Sequence, residues 1–283
     1  MTAPMIVRFW GTRGSIPTPG HKTRRYGGNT SCVAIEIADR LFICDGGTGL
    51  RELGLDLLSR GRGKLEAHLF FSHMHWDHIQ GFPFFVPAYA PDNELYVYET
   101  APGEDRVQRL LHGQMRSEYF PVTFSDLGAR IHGRHFSESS LDVAGVRVRC
   151  FEQKHPGRSF AYSFESGGKK IVYATDSELD PEALRQLPAP LVDFMRGADL
   201  LIADGQYTDE EYPKKRGWGH ARSNTVVDLA LQAGIAQCAI FHHDPMHSDE
   251  MVDDKIAVAE ARVARSGGGP QVFGAREGLA LKF

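Results

Sequence analysis

Several features are scarce in this chain, and each scarcity removes a class of protein. No stretch of the 283 residues reaches the roughly 18 consecutive apolar positions of a membrane-spanning helix. The opening MTAPMIVRFWG has no basic segment followed by an apolar core, so no secretory leader is expected. Basic residues are not in excess: 32 Lys and Arg stand against 36 Asp and Glu, a formal net charge of -4. That balance argues against a dedicated nucleic-acid binder while leaving room for local basic patches. The four cysteines, Cys32, Cys44, Cys150 and Cys238, form no CxxC pair. They read as buried thiols of a reducing compartment rather than as disulfides or zinc clamps. There is no internal repeat and no low-complexity linker. What remains is ordinary globular composition, 42% hydrophobic and 24% charged. The expectation is a cytoplasmic protein forming one domain over residues 1–283, with no membrane partner.

Short runs rich in β-branched and aromatic residues recur along the chain: MIVRFW, CVAIEIA, LFIC, AHLFFS, ELYVYE, VRVRCFE, FAYSFES, KIVYAT, DLLIAD and QCAIFH. Their lengths and the turn residues around them predict strands. Helical patterns lie between some of them. LRELGLDLLSR places leucines at 50, 53, 55, 57 and 58. SNTVVDLALQAG runs from Ser223 as an N-cap to Gly234 as a stop. SDEMVDDKIAVAEARVARSGGG begins at Ser248 or Asp249, and PGEDRVQRLLHGQM is a fourth helix. Grouped strands with interspersed helices predict an α/β fold of two sheets covered outside by helices, a four-layer αββα sandwich.

The densest chemical signal is FFSHMHWDHIQGFP, residues 70–83. Beyond a strand-like run come His73, His75, Asp77 and His78. In extended chain, positions 73, 75 and 77 share one side, and His78 turns in as the next helix begins. Four ligand-type side chains in six residues are too many for one metal to which other segments also contribute. They suit two metals, one taking the His/His pair and the other the Asp/His pair. Two loops, GTRGSIPTPG (11–20) and YGGNTSC (26–32), are dominated by turn residues. They are tight turns or anion-approaching backbone.

The His-x-His-x-Asp-His order resembles the motif of the metallo-β-lactamase superfamily, and the resemblance extends over essentially the whole chain, from FWGTRGSIP onward. It implies three further ligands: His155 in EQKHPGRSF, Asp176 in KIVYATDSE and His242 in AIFHHDP. His73, His75 and His155 would hold one divalent ion, Asp77, His78 and His242 a second, and Asp176 would bridge them. Zinc is the first expectation for this imidazole-rich shell, with manganese or iron also compatible. GWGHARSNTVVDLALQAGI resembles a stretch of transfer-RNA 3′ processing endonucleases and of the cyclic-phosphate phosphodiesterase of phosphonate breakdown. The resemblance makes His220 a proton donor, and LLIADGQYTDEEY makes Asp204 the group that orients it. With Asp77 these form the expected catalytic set. A phosphodiesterase acting on a small or cyclic nucleotide-type substrate is implied, with a hydroxide between two ions as nucleophile and His220 as general acid.

Only 21 residues separate His155 from Asp176. The endonucleases insert an RNA-gripping arm there, so transfer RNA is not expected as a substrate. The cysteines do not reproduce the extra zinc site of the phosphonate enzyme. The alternatives are a hydrolase of a thioester, lactone or other carbonyl substrate, and a catalytically idle metal-binding signalling module. A homodimer is expected from relatives. The basic runs HKTRRY (21–26) and KKRG (214–217) are solvated loops or, for the second, phosphate contacts beside His220. Trp76 walls the pocket or packs.

AIFHHDPMHSDE holds three histidines, and Pro245 argues against one helix carrying His243 and His247 together. A strand delivers one side chain as it ends, so one ligand is expected, and the resemblance selects His242. His243 should face away or act with Asp244 in support, and His247 belongs to the helix entry. His21, His68, His112, His132 and His135 lack partners at ligand spacing and read as structural or solvated.

Overall fold

Met5, Val7 and Phe9 are buried while Ile6, Arg8 and Trp10 between them are half-buried, the period-two pattern of a strand packed on one side. A computed structural model describes residues 4–61, 63–100, 106–136, 140–179 and 189–283. In chain order its elements are β1 (Met5–Gly11), β2 (Cys32–Ile37), β3 (Arg40–Cys44), α1 (Gly49–Ser59), β4 (Glu66–Phe70), α2 (Trp76–Ile79), β5 (Glu94–Glu99), α3 (Arg106–Gln114), β6 (Arg130–His135), β7 (Ser140–Val143) and β8 (Val146–Gln153). They continue with β9 (Ser159–Ser166), β10 (Lys169–Ala174), α4 (Ala189–Met195), β11 (Leu200–Asp204), α5 (Tyr212–Lys215), α6 (Ser223–Gln232), β12 (Gln237–Phe241), α7 (Asp249–Arg265), β13 (Gln271–Gly274) and β14 (Ala280–Lys282).

Among the described residues, the strands form two seven-stranded mixed sheets, ordered β14-β1-β2-β3-β4-β5-β6 and β13-β12-β11-β10-β9-β8-β7. Their facing sides meet in a core that includes Phe9, Phe42, Phe70, Tyr162, Phe164, Tyr173 and Phe241. Phe70 and Tyr98 stack at 4.3 Å, and Phe164 meets the Phe70 ring edge-on. Truncating a buried phenylalanine here to alanine would cost about 3–5 kcal/mol. Outside the first sheet, Leu50, Leu53 and Leu57 of α1 pack with Ile43, Leu69 and Val97. Outside the second, Val226, Val227 and Ala230 of α6 pack with Leu201, Cys238 and Val252. The result is the expected αββα sandwich.

All ten strands expected from short apolar runs are present. Four more are weakly written: β7, β13 and β14 are only three or four residues long, and β6 (RIHGRH) carries mostly polar, exposed side chains on a sheet edge. Ser223 is not the N-cap of α6. Arg222 takes that position, and the backbone N–H of Ser223 instead donates to Tyr207 O at 3.1 Å. Ser248 does cap α7, its side chain accepting from Met251 N. The helix expected over 102–115 is found from Arg106, and residues 102–105 of that expectation lie outside the described residues. The four cysteines lie within strands and form no disulfide. Among the described residues, no helix is long and apolar enough to cross a membrane.

The topology sets the place of the site. β3 and β4 run parallel in the first sheet, and β10, β11 and β12 run parallel in the second. β8 is antiparallel to β9, which is antiparallel to β10, so β8 shares that direction. Their carboxyl ends deliver, within a few residues, Asp45 after β3, His73 after β4, His155 after β8, Asp176 after β10, Asp204 ending β11 and His242 after β12. Sites at strand carboxyl ends are a general property of such sheets.

Candidate metal centre

His73 and His75 leave β4 in extended chain, but Asp77 does not share that run: it is the second residue of α2, with His78 following it. The helical turn, rather than strand alternation, aims the last two side chains. Three groups of donor atoms each fall within 4.8 Å of one another: His73, His75 and His155; Asp77, His78 and His242; and His73, His78 and Asp176. Asp176 stands between the first two. Its Oδ1 lies 3.3 Å from His78 Nε2 and 3.2 Å from His242 Nε2, while Oδ2 lies 3.6 Å from His73 Nε2 and 3.7 Å from His155 Nε2.

Hydrogen bonds on the far side of each imidazole decide which nitrogen points inward. His155 Nδ1 donates to Gly219 O at 2.9 Å, His78 Nδ1 to Asp45 Oδ2 at 2.8 Å and His242 Nδ1 to Gln206 Oε1 at 2.9 Å. His73 Nδ1 contacts Ser72 Oγ at 3.1 Å. Each of these four therefore presents Nε2, whereas His75 turns Nδ1 toward His155 Nε2 at 3.2 Å. Asp77 Oδ2 accepts from the Ser15 backbone N–H at 2.7 Å. The Nε2 atoms of His73 and His78 are buried without a hydrogen-bond partner. Buried polar atoms left orphaned at the centre of an otherwise satisfied shell fit the residence of a cation.

A fourth grouping would add Asp204 and His220 to Asp176 and His242. The hydrogen bonds argue against Asp204 as a ligand. Its Oδ1 accepts from Gln206 N at 3.0 Å, and its Oδ2 from His220 Nδ1 at 2.8 Å and Ser177 N at 3.2 Å. Both oxygens are committed, and His220 keeps only Nε2 free. The His220 ring stacks on His242 with centroids 4.9 Å apart, which places that nitrogen beside the cluster.

The electrostatics divide the histidines. Burial, with neighbouring imidazoles, holds His73 well below the usual histidine range, and burial also lowers His75 and His155. They are neutral at pH 7, the form that binds metal. Burial lowers His78 as well, yet the charges of Asp77, Asp176 and Asp45 outweigh it and raise that group well above 6.5. His220 behaves alike: burial is overcome by the charge and hydrogen bond of Asp204, and the group is pushed up to about 9. Burial would raise Asp77 and Asp176, but the surrounding histidines hold both below the carboxylate range. Positive charge is thus favoured at His78 and His220, where carboxylates lie closest.

The backbone around the centre is held in a rare conformation. Ser15, Asp45, Asp176 and His242 all have positive φ, between 52° and 65°. Non-glycine residues there are uncommon, and their concentration at one place marks a site that the surrounding fold overrides. Gly14 packs against the His242 ring so closely that an added Cβ would overlap its Nδ1 and Cε1.

Asp45, Gln206 and Glu178 were not marked in the sequence. Asp45 carried a signal that could have found it, since it is the carboxylate immediately after the apolar run LFIC, as Asp176 follows KIVYAT. Gln206 carried none, whereas the Ser15 N–H lies in the loop 11–20 that reads as tight turns or anion-approaching backbone. His243 and His247 stay out of the cluster: His243 Nε2 donates to Ala275 O at 2.8 Å and His247 Nε2 meets Glu211 Oε1 at 2.9 Å. Support reaches His242 through Asp244, which accepts from the Gln206 side-chain amide at 3.3 Å. Within the basic run 21–26, Arg25 pairs with Asp253 and Glu250 of α7. Trp76 is 65% exposed, so it does not pack in the core.

The model of the β-lactamase superfamily domain matches residues 40–243. A ribonuclease Z of Haloarcula marismortui is 22% identical over an alignment covering 88% of this chain and 90% of its own. Among solved structures, the metallo-β-lactamase fold protein YhfI of Bacillus subtilis has a TM-score of 0.71 at 18% identity, covering 99% of this chain and 100% of that one. The short form of human tRNase Z has a TM-score of 0.66 at 18% identity, covering 98% of each chain. These likenesses overturn the expectation against transfer RNA, because chains named ribonuclease Z and tRNase Z align over nearly the whole length. That expectation rested on the missing arm. The interval 155–176 holds only the β9–β10 hairpin, but an absent insertion leaves the hydrolytic centre itself unchanged.

Proposed function

The chain belongs to the metallo-β-lactamase superfamily, and on that premise we propose that this hydrolase is a dinuclear phosphodiesterase acting on a nucleotide-type substrate. The observation that carries the reading is the pair His220–Asp204, 2.8 Å apart, beside the donor cluster and outside it. Hydrolysis of a thioester, whose thiolate leaves unaided, gives such a pair less to do than cleavage of a phosphodiester, whose alkoxide leaves poorly without a proton.

His73, His75 and His155 would hold one divalent ion, Asp77, His78 and His242 the other, and Asp176 would face both. Zinc suits the imidazole-rich shell, and manganese or iron suits the same donors. When bound, such a pair supplies Lewis acidity toward phosphodiester oxygens and lowers the pKa of water. The chain does the rest. Asp204 accepts a hydrogen bond from Nδ1–H of His220, which fixes the ring and keeps it charged. His220 Nε2 then donates to the leaving oxygen. Asp45, Gln206 and Gly219 O hold three imidazoles in the tautomer that presents Nε2. The Ser15 N–H fixes Asp77.

The test is hydrolysis of bis(p-nitrophenyl) phosphate alongside a thioester and a β-lactam, with metal content measured on the same protein. Turnover of the phosphodiester with two equivalents of metal is the expected result. Fully metallated protein that cleaves only the carbonyl substrates would overturn the proposal.

A further inference from the structure

The segment that delivers His220 also displays an exposed indole. Trp218 is 58% exposed, two residues before His220, and the ammonium of Lys215 sits 4.2 Å from its ring centroid. Lys215 also lies 5.6 Å from the Tyr207 ring, which in turn meets the His220 ring edge-on at 5.9 Å. The backbone on either side of the indole is pinned. Glu178, only 4% exposed, accepts from Gly217 N at 2.7 Å, from Gly219 N at 3.2 Å and from Tyr212 OH at 3.0 Å. Gly217 and Gly219 both sit in left-handed backbone, φ 87° and 90°, which glycine alone adopts without strain. The carbonyl of Gly219 accepts from His155 Nδ1. The backbone that carries the indole is therefore fixed relative to the candidate metal centre through a buried carboxylate on one side and a candidate ligand on the other.

A solvent-facing aromatic on a pinned backbone, beside a cation, does nothing for the core. It offers a flat π surface and a positive charge at the edge of a phosphodiester site, the two things a nucleotide presents complements to. His220 marks the leaving-group side. Resting on the phosphodiesterase reading above, we propose that Trp218, braced by Lys215, is the stacking platform for the nucleobase attached to the leaving oxygen.

Two measurements test this. Adenosine monophosphate and ribose 5-phosphate are titrated into the metal-loaded protein, with indole fluorescence as the readout. Quenching by the nucleotide that is absent in Trp218→Leu is expected, while ribose 5-phosphate gives none. Quenching that persists in the variant, or no quenching at all, would overturn the platform. The second measurement compares the dinucleotide ApA with the two analogues lacking one adenine, and product analysis identifies the leaving nucleoside. Trp218→Leu should lower kcat/KM roughly 5- to 100-fold, chiefly through KM, wherever the leaving nucleoside carries its base. An equal penalty on all three substrates, or none, would defeat the proposal. A protein that cleaves no phosphodiester but still shows Trp218-dependent quenching would sink the phosphodiesterase reading and leave a nucleotide-stacking site.

Discussion

Nδ1 of His78 donates to Oδ2 of Asp45 across 2.8 Å, with both side chains fully buried. The same carboxylate accepts from Ser72 N at 2.7 Å, Ser72 Oγ at 2.8 Å and Tyr173 OH at 2.7 Å. One residue thus joins β3, the segment after β4, α2 and β10, and it aims a candidate ligand.

Asp45→Ala should strip four donors of their acceptor at once. Metal affinity is expected to fall about 10- to 100-fold, read by competition with a chromogenic chelator. Unfolding free energy in urea should drop by at least about 2 kcal/mol, because buried donors left unpaired each cost about 1–3 kcal/mol.

His220→Ala should keep its metal and lose turnover by roughly 10²–10⁴-fold on substrates with unactivated alkoxide leaving groups. The loss should shrink on p-nitrophenyl esters, whose leaving group needs no proton. Asp204→Asn should follow the same pattern more mildly. Metal loss in His220→Ala, measured by elemental analysis, would instead make His220 a ligand.

Gly14→Ala places a methyl where the His242 ring lies. Metal affinity should fall by about tenfold or more, with the fold retained in circular dichroism. Gly20→Ala, where nothing lies within 4 Å of an added Cβ, is the control and should change stability by less than about 0.5 kcal/mol.

Lys255 is fully buried on α7, and its ammonium donates to Gly205 O at 2.8 Å and Gln206 O at 3.1 Å. Burial pulls its pKa down to about 8 from 10.5, against the opposing pull of Asp244, Glu211 and Asp204. Between those two values the unfolded chain binds a proton that the native chain does not. This group therefore makes stability rise with pH through that window, and its cost is fully present below about pH 8. Lys255→Met abolishes the titration. The wild type should gain on the variant by on the order of 3 kcal/mol between pH 8 and 10.5, measured by urea unfolding across that range.

The elements with strong local patterning were legible. MIVRFW, ELYVYE and KIVYAT read as strands because apolar residues at strand spacing have few other ways to be buried. β6 was not, because RIHGRH is held by pairing with β5 rather than by its own burial. Asp77 was placed on the wrong kind of element, since whether a short motif stays extended or turns helical depends on what packs beneath it. A missing RNA-gripping arm does not exclude transfer RNA, because a relative named ribonuclease Z aligns over 88% of this chain.

The sequence by itself determined which side chains could gather. His73, His75, Asp77 and His78 stand in one dense motif, which is a local property, while His155, Asp176 and His242, each lying soon after an apolar run, were implied by the family resemblance. Only the tertiary structure decided how they gather. Which imidazole nitrogen faces inward, why Asp204 holds His220 rather than a metal, and why Glu178 fixes the loop of Trp218 all depend on hydrogen bonds between residues 16 to 64 positions apart. Such bonds are short-ranged and directional, so they exist only once two sheets have packed and brought their strand ends together.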